Sequence, residues 1–306
     1  MEDSVIEVKD FRKTYGDFVA VDGISFDIKQ GELFGLLGPN GAGKTTTLEC
    51  LEGLRRPSGG SLRVAGIDPA NGSRRFRNLI GVQLQSAGLP ENITPDEAMK
   101  LFCAYHGVKP RFDLLKRLGL AGKRSTEFFK LSAGQQRRLI LALAIAHNPR
   151  VLFLDEPTAG LDVATRVELH EMMRDLQAAG TTIMLATHDM AEAEQLSDRV
   201  AILLQGKLVS IGTPMEITAT GVGLTKISVL TQASSLSSAG LDFPAVSRQL
   251  FKDNYSIYFS SDIGPTISAI IAHIAALGDT LVDLRVERPT LEDRFLEITS
   301  AGGAEQ

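Results

Sequence analysis

The chain has 306 residues, 43% of them hydrophobic, and its 32 basic against 37 acidic side chains give a net charge of −5. That length suits about two domains at roughly 150 residues each, and the acidic balance argues against a dedicated nucleic-acid surface, because phosphate backbones attract basic ones. No apolar run approaches the ~18 residues of a membrane-spanning helix, and Cys50 and Cys103 alone are too few for a disulfide framework or a zinc cluster, which fits a reducing compartment. The opening MEDSVIEVKD is acidic and alternating, unlike a secretory signal, so a cytosolic protein is expected.

In chain order, VIEVKD and FVAVDGISFDI alternate as half-buried antiparallel strands do, and GGSLRVAG (59–66) repeats that character. Arg74, Arg75 and Arg77 read as a solvated face or a partner contact. Three runs, LFGLL (33–37), VLFLD (151–155) and TIMLAT (182–187), are too continuous for one-sided strands and read as parallel strands covered on both faces. Polar, chemically capable residues follow each: GPNGAGKT, Glu156 and His188. Ligands of open α/β sheets sit at the carboxyl ends of strands, so these three ends are expected to face one ligand.

ITPDEAMKLFCAYHG offers Thr94 as cap, Pro95 as first helical residue and Glu97 at the third position, within a mainly helical insertion expected from about Gln85 to Lys130. In LSAGQQRR (131–138), Ser132 with Gln135 three places on repeats the self-capping pattern. Residues 1–215 form one expected domain. Beyond Pro214, KISVLTQ, SRQLFKD, YSIYFSS and LVDLRVE alternate as strands, while IGPTISAIIAHIAAL and TLEDRFLEIT read as helices. They predict a small α+β domain over about 222–300. It lacks a Gly-rich loop or acid pair, which suits docking or dimerisation.

Residues 38–45, GPNGAGKT, lie between a buried strand and a helix, the context as well as the string of a phosphate-binding loop. Gly38, Gly41 and Gly43 let successive N–H groups turn inward, and Pro39, Asn40, Ala42 and Thr46 complete the cradle. Lys44 supplies a mobile positive charge for the β and γ phosphates, and the Thr45 hydroxyl suits Mg²⁺. Asp155, ending an apolar strand, can hold Mg²⁺, and Glu156 beside it can polarise an attacking water. His188 is expected to contact the γ phosphate.

With loop, LSAGQ, acid pair and His188 in this order, the first 215 or so residues resemble the ATPase subunits of ATP-binding-cassette (ABC) transporters, whose signature is LSGGQ. The resemblance implies an α/β P-loop NTPase fold with a mixed-sheet core, an antiparallel β subdomain and a helical subdomain, here with the small C-terminal α+β domain added. It implies ATP and Mg²⁺, with Tyr15 stacking on adenine and Gln85 both reaching Mg²⁺ and sensing the γ phosphate; Gln83, two residues away, is the alternative. It also implies that Ser132, Gly134 and Gln135 meet the ATP of a paired subunit, and that Asp162, in AGLD (159–162), belongs to the loop through which the two subunits communicate.

The implied partners are a separate membrane-spanning permease and a second ATPase, identical or paralogous, with the chain peripheral on the inner face of the cell membrane. RPTLEDRFLEIT is similar to the tail of ATPase subunits serving exporters of the daunorubicin-resistance type, which implies export of drugs, lipids or polysaccharide precursors. The other class is an ABC-type ATPase acting on ribosomes or DNA. Those relatives carry paired cassettes or long coiled coils, and this chain has one cassette and no sustained heptads. Ala133 stands where the family has Gly, so this position need not adopt φ > 0.

Overall fold

A computed structural model describes residues 4–84, 88–219, 224–236 and 242–302. The chain divides into two compact units, Met1–Thr213 and Pro214–Gln306. The first runs β1 (Ser4–Tyr15), β2 (Phe18–Lys29), β3 (Leu33–Leu37), α1 (Lys44–Leu51), β4 (Gly59–Val64), α2 (Arg74–Arg77), β5 (Ile80–Gln83), α3 (Pro95–His106), α4 (Phe112–Arg117) and α5 (Ala133–Ile145). It continues through β6 (Val151–Asp155), α6 (Val163–Ala178), β7 (Thr182–Thr187), α7 (Met190–Leu196), β8 (Arg199–Leu204) and β9 (Lys207–Gly212).

Six strands form a sheet in the order β5-β6-β7-β3-β8-β9. Its first five strands are parallel, and β9 returns antiparallel on β8. The runs LFGLL, VLFLD and TIMLAT are β3, β6 and β7, and every residue in them is buried. Alternate residues divide between two cores: Phe34, Leu36 and Phe153 pack with α1 and the antiparallel sheet, whereas Leu33, Leu152 and Leu154 pack with α5 and the other helices. Burial on both faces explains why these strands lack polar alternation.

The second sheet, β2-β1-β4, is antiparallel, and its inward positions Ile6, Val8, Val21, Ile24, Leu62 and Val64 join the core around Phe34. Between β5 and β6 the chain is mainly helical. Thr94 and Glu97 form a reciprocal capping box at the start of α3, and the segment closes through 3-10 turns at Ala121–Lys123 and Phe128–Lys130. Arg74, Arg75 and Arg77 are exposed on α2 around the buried Phe76, while both cysteines are buried and free.

The second unit contains α8 (Pro214–Ala219), β10 (Thr225–Thr231), β11 (Val246–Lys252), β12 (Tyr255–Ser260), α9 (Ile263–Ala276), β13 (Leu281–Glu287) and α10 (Leu291–Gly302). Its antiparallel sheet has the order β11-β12-β10-β13. Ile270 and Ile274 of α9 pack against Ile227, Val229 and Tyr258, a small core of its own.

Glu52, capping α1, is buried with neither carboxyl oxygen hydrogen-bonded. Burial, with Asp155 and Glu49 adding repulsion, pushes its pKa from 4.5 up to about 8. Folding therefore takes up a proton between those values, so this group's contribution to stability is complete below pH 4.5 and is lost as pH rises towards 8. Glu52→Gln, which stays neutral, should flatten that decline and gain about 4 kcal/mol at pH 8, read by urea denaturation at pH 5 and pH 8. An unchanged slope would remove Glu52 as its source.

Candidate active site

The loop from Gly38 to Gly43 lies between the end of β3 and the start of α1. Two of its glycines are required by space. At Gly38, φ 153°, a Cβ would stand 2.2 Å from the Leu203 carbonyl oxygen; at Gly43, φ 104°, it would stand 2.6 Å from that of Ala20. The loop is wedged between β8 and β2, and the Gly206 N–H donates to the Ala42 carbonyl at 3.0 Å. Gly41 also has positive φ, but a Cβ there would meet nothing within 4 Å.

Lys44, the first residue of α1, turns back into the loop. Its Nζ donates to the carbonyls of Gly38 at 2.7 Å and Pro39 at 3.2 Å and lies 3.8 Å from Glu156 Oε1. Burial lowers its pKa, opposed by the charges of Glu156 and Asp155. Next along the helix, the Thr45 hydroxyl donates to Asp155 Oδ2 at 2.9 Å. The other oxygen, Oδ1, is buried without a hydrogen-bond partner. Burial raises the Asp155 pKa, with the Thr45 bond opposing it.

Thr45 and Asp155 thus bring hard oxygen donors together with one carboxylate oxygen unpaired, the donor type that Mg²⁺ takes. No group of three His, Cys, Asp or Glu side chains able to hold a metal occurs among the described residues. The pair therefore suits a cation that keeps waters and phosphate oxygens as its remaining ligands, rather than one held in a protein cage.

Glu156 follows β6 with φ 49°, a left-handed backbone conformation uncommon for a non-glycine residue. Its N–H is anchored on the Ala186 carbonyl of β7 at 2.9 Å, and its carboxylate faces His188, whose Nδ1 lies 2.8 Å from both oxygens. The His188 side chain is 57% exposed while that of Glu156 is 6% exposed. The ends of β3, β6 and β7 thus converge, through Lys44, Thr45, Asp155, Glu156 and His188.

Outward from this cluster, a cavity of 340 Å³ is lined by Tyr15, Phe18, Ala20, Pro39, Asn40, Gly41, Gly43, Lys44, Thr45, Thr46 and Glu156. Tyr15 ends β1, with Lys13 and Arg55 over its ring at 5.0 and 5.5 Å. Phe18, which the motifs do not single out, provides a second exposed ring on the same wall. Gln85 lies outside the described residues. Gln83 is only 1% exposed, at the end of β5, and neither of its amide atoms has a hydrogen-bond partner.

Residues 132–135 line no part of that cavity. Ser132 caps α5 through a reciprocal box: the Gln135 N–H donates to Ser132 Oγ at 3.3 Å, and the Ser132 N–H donates to Gln135 Oε1 at 3.1 Å. Ala133 is the first helical residue and has no positive φ. Gly134 faces α6, where a Cβ would meet Thr165 Cγ2 at 3.4 Å. Asp162 caps α6, accepting from the Thr165 N–H at 3.0 Å and the Thr165 hydroxyl at 2.8 Å, and these bonds lower its pKa.

Residues 21–159 match the family model described as "ABC transporter". The chain is 34% identical to the daunorubicin resistance ATP-binding protein DrrA3 of Streptomyces coeruleorubidus, over 98% of this chain and 97% of that protein. It is 39% identical to the Nod factor export ATP-binding protein I of Burkholderia orbicola, over 73% of this chain and 76% of that one. Among solved structures it is similar to an ATP-binding subunit of an ABC transporter, with a TM-score of 0.66 and 29% identity over 71% of this chain and 92% of that one. It is also similar to a dimeric ATP-binding cassette in a post-hydrolysis state bound to ADP and Pi, with a TM-score of 0.64 and 26% identity over 68% of this chain and 98% of that one. By fold, loop and relatedness along nearly its whole length, the chain belongs to the ABC transporter family as an ATP-binding, ATP-hydrolysing subunit.

Proposed function

We propose that this ATPase drives export of a drug, lipid or polysaccharide precursor through a separate membrane-spanning subunit, using Lys44, Thr45, Asp155, Glu156 and His188 at each ATP site. The convergence of those side chains at three strand ends carries the assignment of the site. The relatives named for daunorubicin resistance and Nod factor export support the direction of transport.

Lys44 exchanges its bonds to the loop carbonyls for β- and γ-phosphate oxygens, and Tyr15 stacks on the adenine. Thr45 and Asp155 would hold Mg²⁺, with Gln85 the further ligand that the family resemblance implies, and the ion would supply neutralisation of charge developing on the phosphates. Glu156 accepts the proton of the attacking water as its oxygen bonds to the γ phosphorus and the bond to ADP breaks. His188, on the Glu156 carboxylate, orients that base and reaches the γ phosphate.

The second half of each site comes from a paired ATPase, identical or paralogous, through its Ser132, Gly134, Gln135 and Asp162. Two facts support this: these residues line no part of the loop cavity, and a helix N-terminus with free N–H groups suits a phosphate. A hydroxyl that accepts as a cap can still donate to a phosphate oxygen.

No helix of the described residues is long and apolar enough to cross a membrane. The membrane subunit is taken to contact the helical insertion, a reading supported by the 360 Å³ groove there, lined by Leu54, Ile80, Val82, Leu89, Phe102 and Tyr105 among others. Residues 222–300 serve as an accessory or dimerisation domain.

Glu156→Gln should bind ATP yet hydrolyse it at least ~10²-fold slower, measured by steady-state phosphate release beside equilibrium nucleotide binding; near-normal turnover would remove Glu156 from its role. Lys44→Ala should weaken nucleotide binding or abolish turnover, and an unchanged rate would sink the loop assignment. Ala133→Gly should alter the ATPase rate by less than about tenfold, or about 1.4 kcal/mol, because Ala133 already has helical geometry; a larger gain would mark Ala133 as a weakening of the signature.

A further inference from the structure

Three polar side chains that no motif includes meet beneath the site. Glu192 Oε1 accepts the Thr158 hydroxyl at 2.6 Å and lies 2.9 Å from His170 Nε2. All three residues are at most 6% exposed. The other oxygen, Oε2, is buried and has no hydrogen-bond partner among the described residues, of which Thr158 and His170 hold the carboxylate. A buried carboxylate is costly unless hydrogen-bonded, and sharing one oxygen between two donors fixes its position as firmly as theirs.

What these groups join matters more than their burial. Thr158 is two residues beyond Glu156, in the turn where the Ala159 N–H donates to the Glu156 carbonyl and the Leu161 N–H to the Thr158 carbonyl. Glu192 is four residues beyond His188, in the first turn of α7. Its own N–H donates to Asp189 Oδ1 at 3.0 Å, and the Asp189 N–H donates to Thr187 Oγ1 at 3.0 Å. The Thr158–Glu192 bond therefore ties the loop after β6 to the first turn of α7, which the loop after β7 leads into directly. Those loops carry Glu156 and His188, whose side chains touch at 2.8 Å above it. His170, on α6, adds the helix that Asp162 caps. The Thr158–Glu192 bond adds to the strand pairing of β6 on β7, the Glu156 N–H to Ala186 bond and the Glu156–His188 contact in fixing the spacing of the two loops, while Arg166 of α6 reaches Asp189 at 3.5 Å.

We propose that Glu192 is a positioning residue that, through Thr158 and His170, holds Glu156, His188 and the 159–162 loop in one register for hydrolysis. Glu192 is not among the residues that line the loop cavity. It acts through the two loops, so the step that needs Glu156 and His188 in place depends on it, while nucleotide capture by residues 38–46 does not. The inference rests on the roles given to Glu156 and His188, and Glu156→Gln in the same assay separates the two. If Glu156→Gln hydrolyses normally the site assignment fails; if it is inactive and the variants below behave as wild type, only the present inference fails.

The test uses the full chain with MgATP, comparing Thr158→Val, which keeps the β-branched shape without the donor, with Thr158→Ser, which keeps the donor. Glu192→Met, which removes the acceptor at similar size, and the double variant Thr158→Val with Glu192→Met complete the set. Thr158→Val should lower kcat about tenfold or more while KM for ATP moves less than about threefold, and Thr158→Ser should recover the turnover. The double variant should be no slower than its slower single parent, as expected when both substitutions break one interaction. Wild-type kcat in Thr158→Val, equal losses in the Ser and Val variants, a KM rise matching the fall in kcat, or a double-variant loss equal to the product of the single losses would each overturn it.

Discussion

A loop that takes phosphates with its backbone has to lie where side chains cannot follow, and in this chain that space is set by two carbonyl oxygens. Those of Leu203 and Ala20 approach Gly38 and Gly43 so closely that a methyl group at either would collide. The loop is thus moulded by the end of β8 on one side and by β2 on the other. The Asp22 N–H donates to Gly206, whose own N–H donates to Ala42, so the antiparallel sheet, the β8–β9 turn and the loop form one hydrogen-bonded unit. The position of Lys44 and Thr45, and through Thr45 the pairing with Asp155, follows from that wedge.

Much of the fold could be read from residue pattern, and what could not has identifiable physical reasons. LFGLL, VLFLD and TIMLAT lie in the middle of the sheet, so burial on both faces leaves an unbroken apolar run. β5 is an edge strand of four residues, IGVQ, containing Gly81, where a Cβ would meet the Ala144 carbonyl at 2.3 Å, and it ends on Gln83. So short a strand, with a glycine dictated by helix packing and a polar end, carries no periodic signal. β9 is half-exposed and has none of the apolar continuity of its neighbours.

The site divides in the same way. Residues acting through local backbone shape, the Gly38–Gly43 loop and the Ser132 cap, have their spacing in the sequence. The strand-end rule brought Asp155, Glu156 and His188 to one place, but not the bond between the last two. Thr158, His170 and Glu192 gave no signal, because polar residues in a loop and two amphipathic helices look like solvated positions. Only the approach of α6 and α7 buries them. Charge at the site was equally invisible. Burial moves the Lys44 pKa down and that of Asp155 up, so burial disfavours both charged forms, and opposite charge brought beside either would favour them again.

The cap at Ser132 has a consequence for binding entropy. Fixing a free side chain on a ligand gives up rotamer freedom, and this loss is subtracted from every new contact. Ser132 is already held by the Gln135 N–H, and Gln135 by the Ser132 N–H. For an acceptor brought to this helix end, only the hydroxyl proton would have to turn. The local geometry that starts α5 therefore also keeps the helix end ordered, so any group bound there would meet residues whose rotamers are already fixed.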